Sequence, residues 1–337
     1  MLTLTIFIIL LALFFDFLNG MNDAANSIAT VVSTRVLSPK MAVLWAAFFN
    51  FVAAFGFGVH VANTIGKGIV HPTVTSEGMI LAALVGAIIW THFCTKYGLP
   101  ISVSHSLIGG LAGSAIAKAG WAALITSGLM KVALFIVLSP IIGLVLGMLL
   151  MIAVNWIYRR SNVRSVDRTF RVGQLLSSAA FGLGHGTNDA QKTMGIIAVL
   201  LFTTSADIPP WLYDKSGGFY VPVWIILAAH SAIGLGTLAG GWKVIRTMGM
   251  RLTHLKPIGG FCAESAGAAV LVGTAIAGIP VSTTHTISGA IMGVGSVRRL
   301  SAVRWGIAGK IVWAWILTIP ISALIGGVAY LIVSQIM

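Results

Sequence analysis

Two short stretches hold the residue types that could do chemistry. Residues 20–26 read Gly-Met-Asn-Asp-Ala-Ala-Asn, and residues 184–192 read Gly-His-Gly-Thr-Asn-Asp-Ala-Gln-Lys. Both sit inside long apolar runs, so Asp23 and Asp189 fall where a bilayer holds no water. A charge there costs roughly 2.5–3.5 kcal/mol to insert and is a functional residue by default. Asn22-Asp23-Ala24 and Asn188-Asp189-Ala190 are the same tripeptide, each with a glycine two positions before the Asn.

A second pair is Pro100-Ile101-Ser102-Val103-Ser104-His105 and Pro280-Val281-Ser282-Thr283-Thr284-His285. After each Pro a Ser/Thr cluster opens a helix. The first-turn N–H groups of a helix lack intrahelical partners and carry the positive end of its dipole. Two such ends facing each other make an anion site; the plainer reading is that Pro and Ser only cap a helix. An anion beside Asp23 and Asp189 is repelled unless cations enter with it. Sodium would use the oxygens of Asn22, Asp23, Asn188 and Asp189 together with unwound carbonyls. Protons would instead neutralise the carboxylates. Either route predicts symport rather than an anion channel, whose pore would be lined with cations. Phosphate keeps an O–H that can donate to a carboxylate, whereas sulfate leaves the acceptor unpaired, so phosphate is expected and sulfate is the competitor.

The elements that position these groups repeat. Asp23 and Asp189 are offset by 166 residues and the Pro-led stretches by 180, and the difference fits one polar loop at 203–221. The chain therefore reads as repeat 1 (1–158), a basic loop (159–171) and repeat 2 (172–337). Each repeat has a first span broken at the Asn-Asp stretch, a second span, a hairpin (79–117 or 259–297) and a last span. Gly-x-Pro breaks at Gly98-Leu99-Pro100 and Gly278-Ile279-Pro280 interrupt the hairpins. Either each hairpin is two thin crossings or it re-enters, which is tolerated only where protein buries it.

Charge placement decides between these. With re-entrant hairpins each half crosses three times, the halves are inverted, and both termini lie outside. Fifteen Lys and Arg then face the cytoplasm, five of them in 159–171, against Lys67, Lys118, Lys131 and Lys215 outside with Glu77, Asp207 and Asp214. That bias obeys the positive-inside rule. The expectation is an all-α polytopic membrane protein of two inverted-topology repeats. Composition agrees: 57% of residues are hydrophobic and only 9% charged, which excludes a soluble domain. The net charge of +13 sits in short loops and does not indicate nucleic acid. Cys94 and Cys262 lie in apolar segments and imply no disulfide framework. No nucleophile constellation or nucleotide loop is present, so no enzyme activity and no cofactor are expected.

Further polar residues at membrane depth are supporting candidates. Asn50 and His230 are equivalent by the 180 offset, Lys192 matches Asn26, and Gln191 lies in the same run. Glu264 stands where repeat 1 has Leu84. His105 and His285 either carry protons or brace the hairpin tips.

On residues 20–26, residues 184–192 and the two Pro-x-Ser-x-Ser/Thr-His tips, the chain resembles the inorganic phosphate transporter (PiT) family over nearly its whole length. The resemblance implies phosphate import coupled to sodium or protons by alternating access, in a bacterial inner membrane. It implies that Asp23, Ser102, Val103, Ser104, Asp189, Asn188, Ser282, Thr283 and Thr284 line the phosphate site. Asn22, Asn26, Asn50, His105, Gln191, Lys192, His230, Glu264 and His285 would support it or the coupling ion. Asn50, where sodium-coupled members carry Glu, and the Asp-Ala-Gln-Lys run resemble the low-affinity bacterial permeases, which use protons and metal-phosphate complexes. Expected partners are inorganic phosphate, free or metal-bound, the lipid bilayer, a second copy of the chain and a cytoplasmic regulatory protein.

Overall fold

The computed structural model describes residues 2–56, 58–206, 208–214 and 218–337; Asp207 and Lys215, counted above among the outer charges, lie outside the described residues. Within lipid every backbone N–H and C=O must be satisfied inside its own segment, and the chain answers with helices. Among the described residues the only pairing of extended backbone is one isolated bridge, Val70 with Leu124.

The described residues form twelve α-helices, in order: α1 (Leu2–Ser33), α2 (Pro39–Val52), α3 (His60–Gly68), α4 (Glu77–Tyr97), α5 (Val103–Ala119), α6 (Thr126–Ile157), α7 (Val163–Thr204), α8 (Val223–Ala239), α9 (Trp242–Arg246), α10 (Pro257–Ile276), α11 (Thr283–Arg298) and α12 (Trp305–Ile336). Five of them, α1, α4, α6, α10 and α12, are long and apolar enough to cross a membrane, or up to seven spans if each bent pair counts as one. Helices α6 and α12 carry stripes of exposed large apolar side chains, such as Leu134, Ile141, Leu149 and Ile316, Leu324, Leu331. Stripes of that kind suit lipid.

The hairpins run as two arms that return to the end they started from. In the first, α4–α5, Lys118 Nζ near the end of α5 donates to Ser76 Oγ and Val74 O at the start of α4, both at 2.7 Å. Thr5 of α1 donates to Glu77 at that same end. In the second, α10–α11, Thr253 Oγ1 before α10 donates to Ala302 O after α11 at 3.0 Å. Thr30, near the other end of α1, reaches Glu264 of α10. The two hairpins thus enter from opposite ends of α1. Their turns match: Gly98 and Gly278 both take positive φ (72° and 65°), which ends the first arm at little cost, and a proline follows two residues on. The halves interlock, since α5 packs along α12 and α11 along α6.

Two expectations need correction. The first span of each repeat is not broken: α1 is helical from Leu2 to Ser33 and α7 from Val163 to Thr204. Neither Asn-Asp stretch contains a proline, and a lone glycine costs only about 1 kcal/mol in a helix. Polar side chains from the hairpin tips meet the Asn and Asp side chains, so the backbone has no need to unwind. Gly20 and Gly186 serve contact instead. A β-carbon on Gly20 would overlap the Ile233 carbonyl, and one on Gly186 would lie 2.5 Å from the Asn50 carbonyl. The bends fall one span later, with α3 turned by 82° from α2 and its 3-10 extension, and α9 with its π-turn by 65° from α8. Nor is 159–171 wholly a loop, because α7 starts at Val163 behind the Asn162 cap, whose side chain accepts from Arg164 N.

Among the described residues the core lies mainly in two apolar clusters stacked along the bundle, with a small third of Cys94, Ile101 and Ala314. One includes Ile8–Phe15 side chains of α1 and Met194–Leu201 of α7; the other includes Ile28 and Val31 of α1 with Phe181 of α7. The polar stretches of both helices sit between the clusters, cut off from water on two sides.

Candidate functional site

Residues from α1, α7 and the two hairpin tips converge at mid-length. Asp23 and Asp189 are both buried, and Thr283 Oγ1 lies 3.1 Å from a carboxylate oxygen of each. Thr284 Oγ1 sits 3.3 Å from Asp23 Oδ1 and 2.9 Å from the Ile101 carbonyl of the other tip. Asn26 Nδ2 donates to Thr284 Oγ1 at 2.9 Å. Lys192, the counterpart of Asn26, reaches Ser104 Oγ, the counterpart of Thr284, at 2.5 Å. The same ammonium touches Asp189 Oδ1 at 2.6 Å and Val281 O at 2.8 Å.

Ser102 and Ser282 cap α5 and α11, their side chains accepting from His105 N at 3.3 Å and His285 N at 3.2 Å. Capping leaves the other first-turn amides of each helix free, as an anion site at a helix N-terminus requires. Val103 is buried and apolar, so only its backbone N–H is offered. His105 and His285 brace the tips: their ring centroids are 4.9 Å apart, and His285 stacks on Trp315 at 3.8 Å.

Asn22 Nδ2 donates to Thr95 Oγ1 at 2.7 Å, and Asn188 Nδ2 to Leu271 O at 2.9 Å. In both amides Nδ2 is committed to a helix of the neighbouring hairpin. Both Oδ1 atoms are buried without a hydrogen-bond partner. Each Asn thus leaves one buried acceptor unpaired, which a cation or a donor O–H could satisfy.

His185 joins this group although the sequence reading passed over it. Its Nε2 lies 3.2 Å from Asp189 Oδ2 and 3.9 Å from Asp23 Oδ2, and these three residues could together hold a metal ion. The hydrogen-bond chain behind it assigns its tautomer. Thr237 Oγ1 donates to Ile233 O at 2.8 Å, so it accepts from Asn50 Nδ2 at 2.9 Å. Asn50 Oδ1 then faces His185 Nδ1 at 3.1 Å, which places a proton on Nδ1. Nε2 then faces the Asp189 oxygen as one acceptor facing another and makes no hydrogen bond as placed; a proton on the ring or on the acid would join them. The available signal was the i, i+4 spacing of His185 and Asp189, which puts both on one face of α7.

Three candidates lie elsewhere. Gln191 Oε1 accepts from Val61 N and Ala62 N at 2.8 and 3.2 Å and so holds the start of α3 against α7. His230 Nδ1 faces Ile226 O of its own helix at 2.9 Å. Glu264 is fully buried in a second cluster, where Thr30, Ser177 and Gln174 donate to it at 2.5, 2.6 and 3.1 Å. All three partners are neutral, so an amide in its place would set a donor against donors. Glu264→Gln is expected to lower stability by about 1–3 kcal/mol, read as an earlier thermal transition of the detergent-solubilised protein; an unchanged transition would show that the cluster tolerates a donor.

A polar centre built from paired carboxylates and two helix tips, buried halfway along a bundle with lipid-suited faces, fits the class of membrane transporters. Comparison with known proteins makes the class specific. Residues 19–326 match the phosphate transporter family. The chain is 54% identical over 323 residues, 96% of its length and 94% of the relative's, to a probable low-affinity inorganic phosphate transporter of Rhizobium meliloti (strain 1021). It is 44% identical to a protein of the same description from Bacillus subtilis (strain 168), covering 100% of this chain and 99% of the relative. A solved structure described as the sodium-dependent phosphate transporter superposes with a TM-score of 0.90 at 26% identity, covering 99% of this chain and 100% of that one. The chain belongs to the phosphate transporter family, and it is a multi-pass membrane protein.

Proposed function

We propose that the protein imports inorganic phosphate as a secondary symporter, by alternating access, with protons as the coupling ion. The observation that supports this reading best is the His185–Asp189 contact, whose tautomer demands a shared proton beside the carboxylates that must face the anion. That proton removes one charge from a pocket where an incoming phosphate would otherwise meet two bare carboxylates in a low dielectric. The phosphate O–H would donate to Asp23, the hydroxyls of Ser104 and Thr284 and the amides of both tips to its other oxygens. Reach from both ends of the bundle, one tip from each, suits a site exposed to each side in turn.

Sodium is the second reading. The orphan oxygens of Asn22 and Asn188 favour it, as does the structural relative described as sodium-dependent. On either reading the protein sits in the inner membrane with both termini outside the cytoplasm, works as a homodimer, and accepts phosphate free or as a metal-phosphate complex. Labelled phosphate uptake into proteoliposomes under an imposed pH gradient, compared with an imposed sodium gradient, tests the choice. Uptake driven by the pH gradient alone is expected; uptake driven only by sodium would replace protons, and uptake by neither would remove symport.

A further inference from the structure

The two halves of the site match in contacts but not in charge. Asn26 and Lys192 occupy equivalent positions, one helical turn beyond their aspartates, and each reaches across to the tip of the other half, at Thr284 and Ser104. Asn26 brings an amide. Lys192 brings an ammonium held by a carboxylate oxygen, a hydroxyl oxygen and a backbone carbonyl oxygen at 2.6, 2.5 and 2.8 Å. Those are the three kinds of oxygen that ligate a monovalent or hard cation in proteins. The accepting oxygens come from α7 and from both tips, so the ammonium ties together the same segments that a bound ion would.

On the Asp23 side, among the described residues, no Lys or Arg forms an ion pair with the carboxylate. Asp23 receives the hydroxyls of Thr283 and Thr284 at 3.1 and 3.3 Å, and the basic nitrogen within ion-pair distance is His185 Nε2 at 3.9 Å. Lys192 is itself 2% exposed, so its charge is desolvated together with that of Asp189. Burial on this scale is tolerated when the charge is paired and its hydrogen bonds are made, as they are for Lys192.

We propose that the Lys192 ammonium is a resident cation, filling by covalent attachment a sodium position that the second half of the site would otherwise present to solution. The proposal rests on the symport reading above and adds to it that one cation position in this chain is permanently taken. With that position taken, the mobile charge is the proton at the His185–Asp189 contact, and the wild type needs no sodium there. Removing the ammonium while leaving Asp189, Ser104 and the Val281 carbonyl in place uncovers the position for sodium.

The test compares wild type with Lys192→Asn, which installs the residue found at the matching position 26, and with Lys192→Ala. Phosphate affinity is measured on purified protein in sodium chloride and in choline chloride of equal ionic strength, alongside thermal unfolding in the same two salts. The expected result is that sodium over choline improves phosphate affinity in the variants by roughly 5–150-fold more than in wild type, the usual span of coupling between two ligands. Sodium should also raise the unfolding temperature of the variants more than that of wild type. Loss of phosphate affinity in both variants, equal in both salts, would overturn the proposal and make Lys192 a direct anion ligand. Failure of both variants to fold even in sodium would overturn it too, because an uncovered sodium site would be refilled. Wild-type protein that binds no phosphate would sink the symport reading instead, so the two failures are told apart.

Discussion

Asp189→Asn is expected to abolish phosphate uptake and to destabilise the protein as well. Asp189 is fully buried and is the carboxylate partner of Lys192 at 2.6 Å. Removing one member of such a pair strands the other charge, which typically costs about 3–5 kcal/mol. The amide also changes the acceptor that His185 Nε2 approaches at 3.2 Å. Asp23→Asn should abolish uptake too, but with a smaller loss of stability. Its partners are the hydroxyls of Thr283 and Thr284, which an amide oxygen can also satisfy. The double variant Asp189→Asn with Lys192→Asn separates the two effects. Both charges leave together, so thermal stability should return toward wild type while uptake stays absent. Wild-type uptake in either single variant would remove the carboxylates from the transport mechanism.

Gly20→Ala and Gly186→Ala should be nearly as damaging, and they set two views of these glycines against each other. If the glycines merely loosened their helices, alanine would stabilise each helix by about 1 kcal/mol. The packing predicts the reverse. A β-carbon at position 20 meets the backbone carbonyl of Ile233, and one at 186 meets that of Asn50, neither of which can swing aside as a side chain would. Overpacking of this kind costs about 1–3 kcal/mol. It also pushes α1 away from α8, or α7 away from α2, and moves the aspartate one turn further along. A matched control is Gly309→Ala on α12, where a β-carbon meets nothing within 4 Å. Uptake is expected to fall at positions 20 and 186 and to hold at 309; stabilised, active variants at 20 and 186 would refute the contact role.

The parts of this protein that could be read from residue order are those written as local periodicity or as repetition. Apolar runs punctuated by short polar loops predict a helical membrane protein, because only helices close their own hydrogen bonds in lipid. The doubled Asn-Asp-Ala and Pro-x-Ser signatures point to one pocket built twice, and the structure brings Asp23, Asp189 and both tips together through Thr283 and Thr284. Gly98 and Gly278 mark the turns for a local reason, since their positive φ is a backbone property of single residues.

Whether a polar stretch unwinds its helix is not a local matter. The same Gly, Asn and Asp residues would favour a break in isolation, yet α1 and α7 stay intact while groups far along the chain accept from their amides, the Thr95 hydroxyl from Asn22 and the Leu271 carbonyl from Asn188. His185 was invisible for a related reason. Its role depends on Asn50, whose orientation depends in turn on Thr237, three residues from three helices. Gln191, in the same run as Asp189 and Lys192, points instead at the start of α3, since neighbours on a helix face different ways. Spacing along the chain settles which residues share a helix face; which partner each one meets depends on how the helices pack, and that is a long-range property.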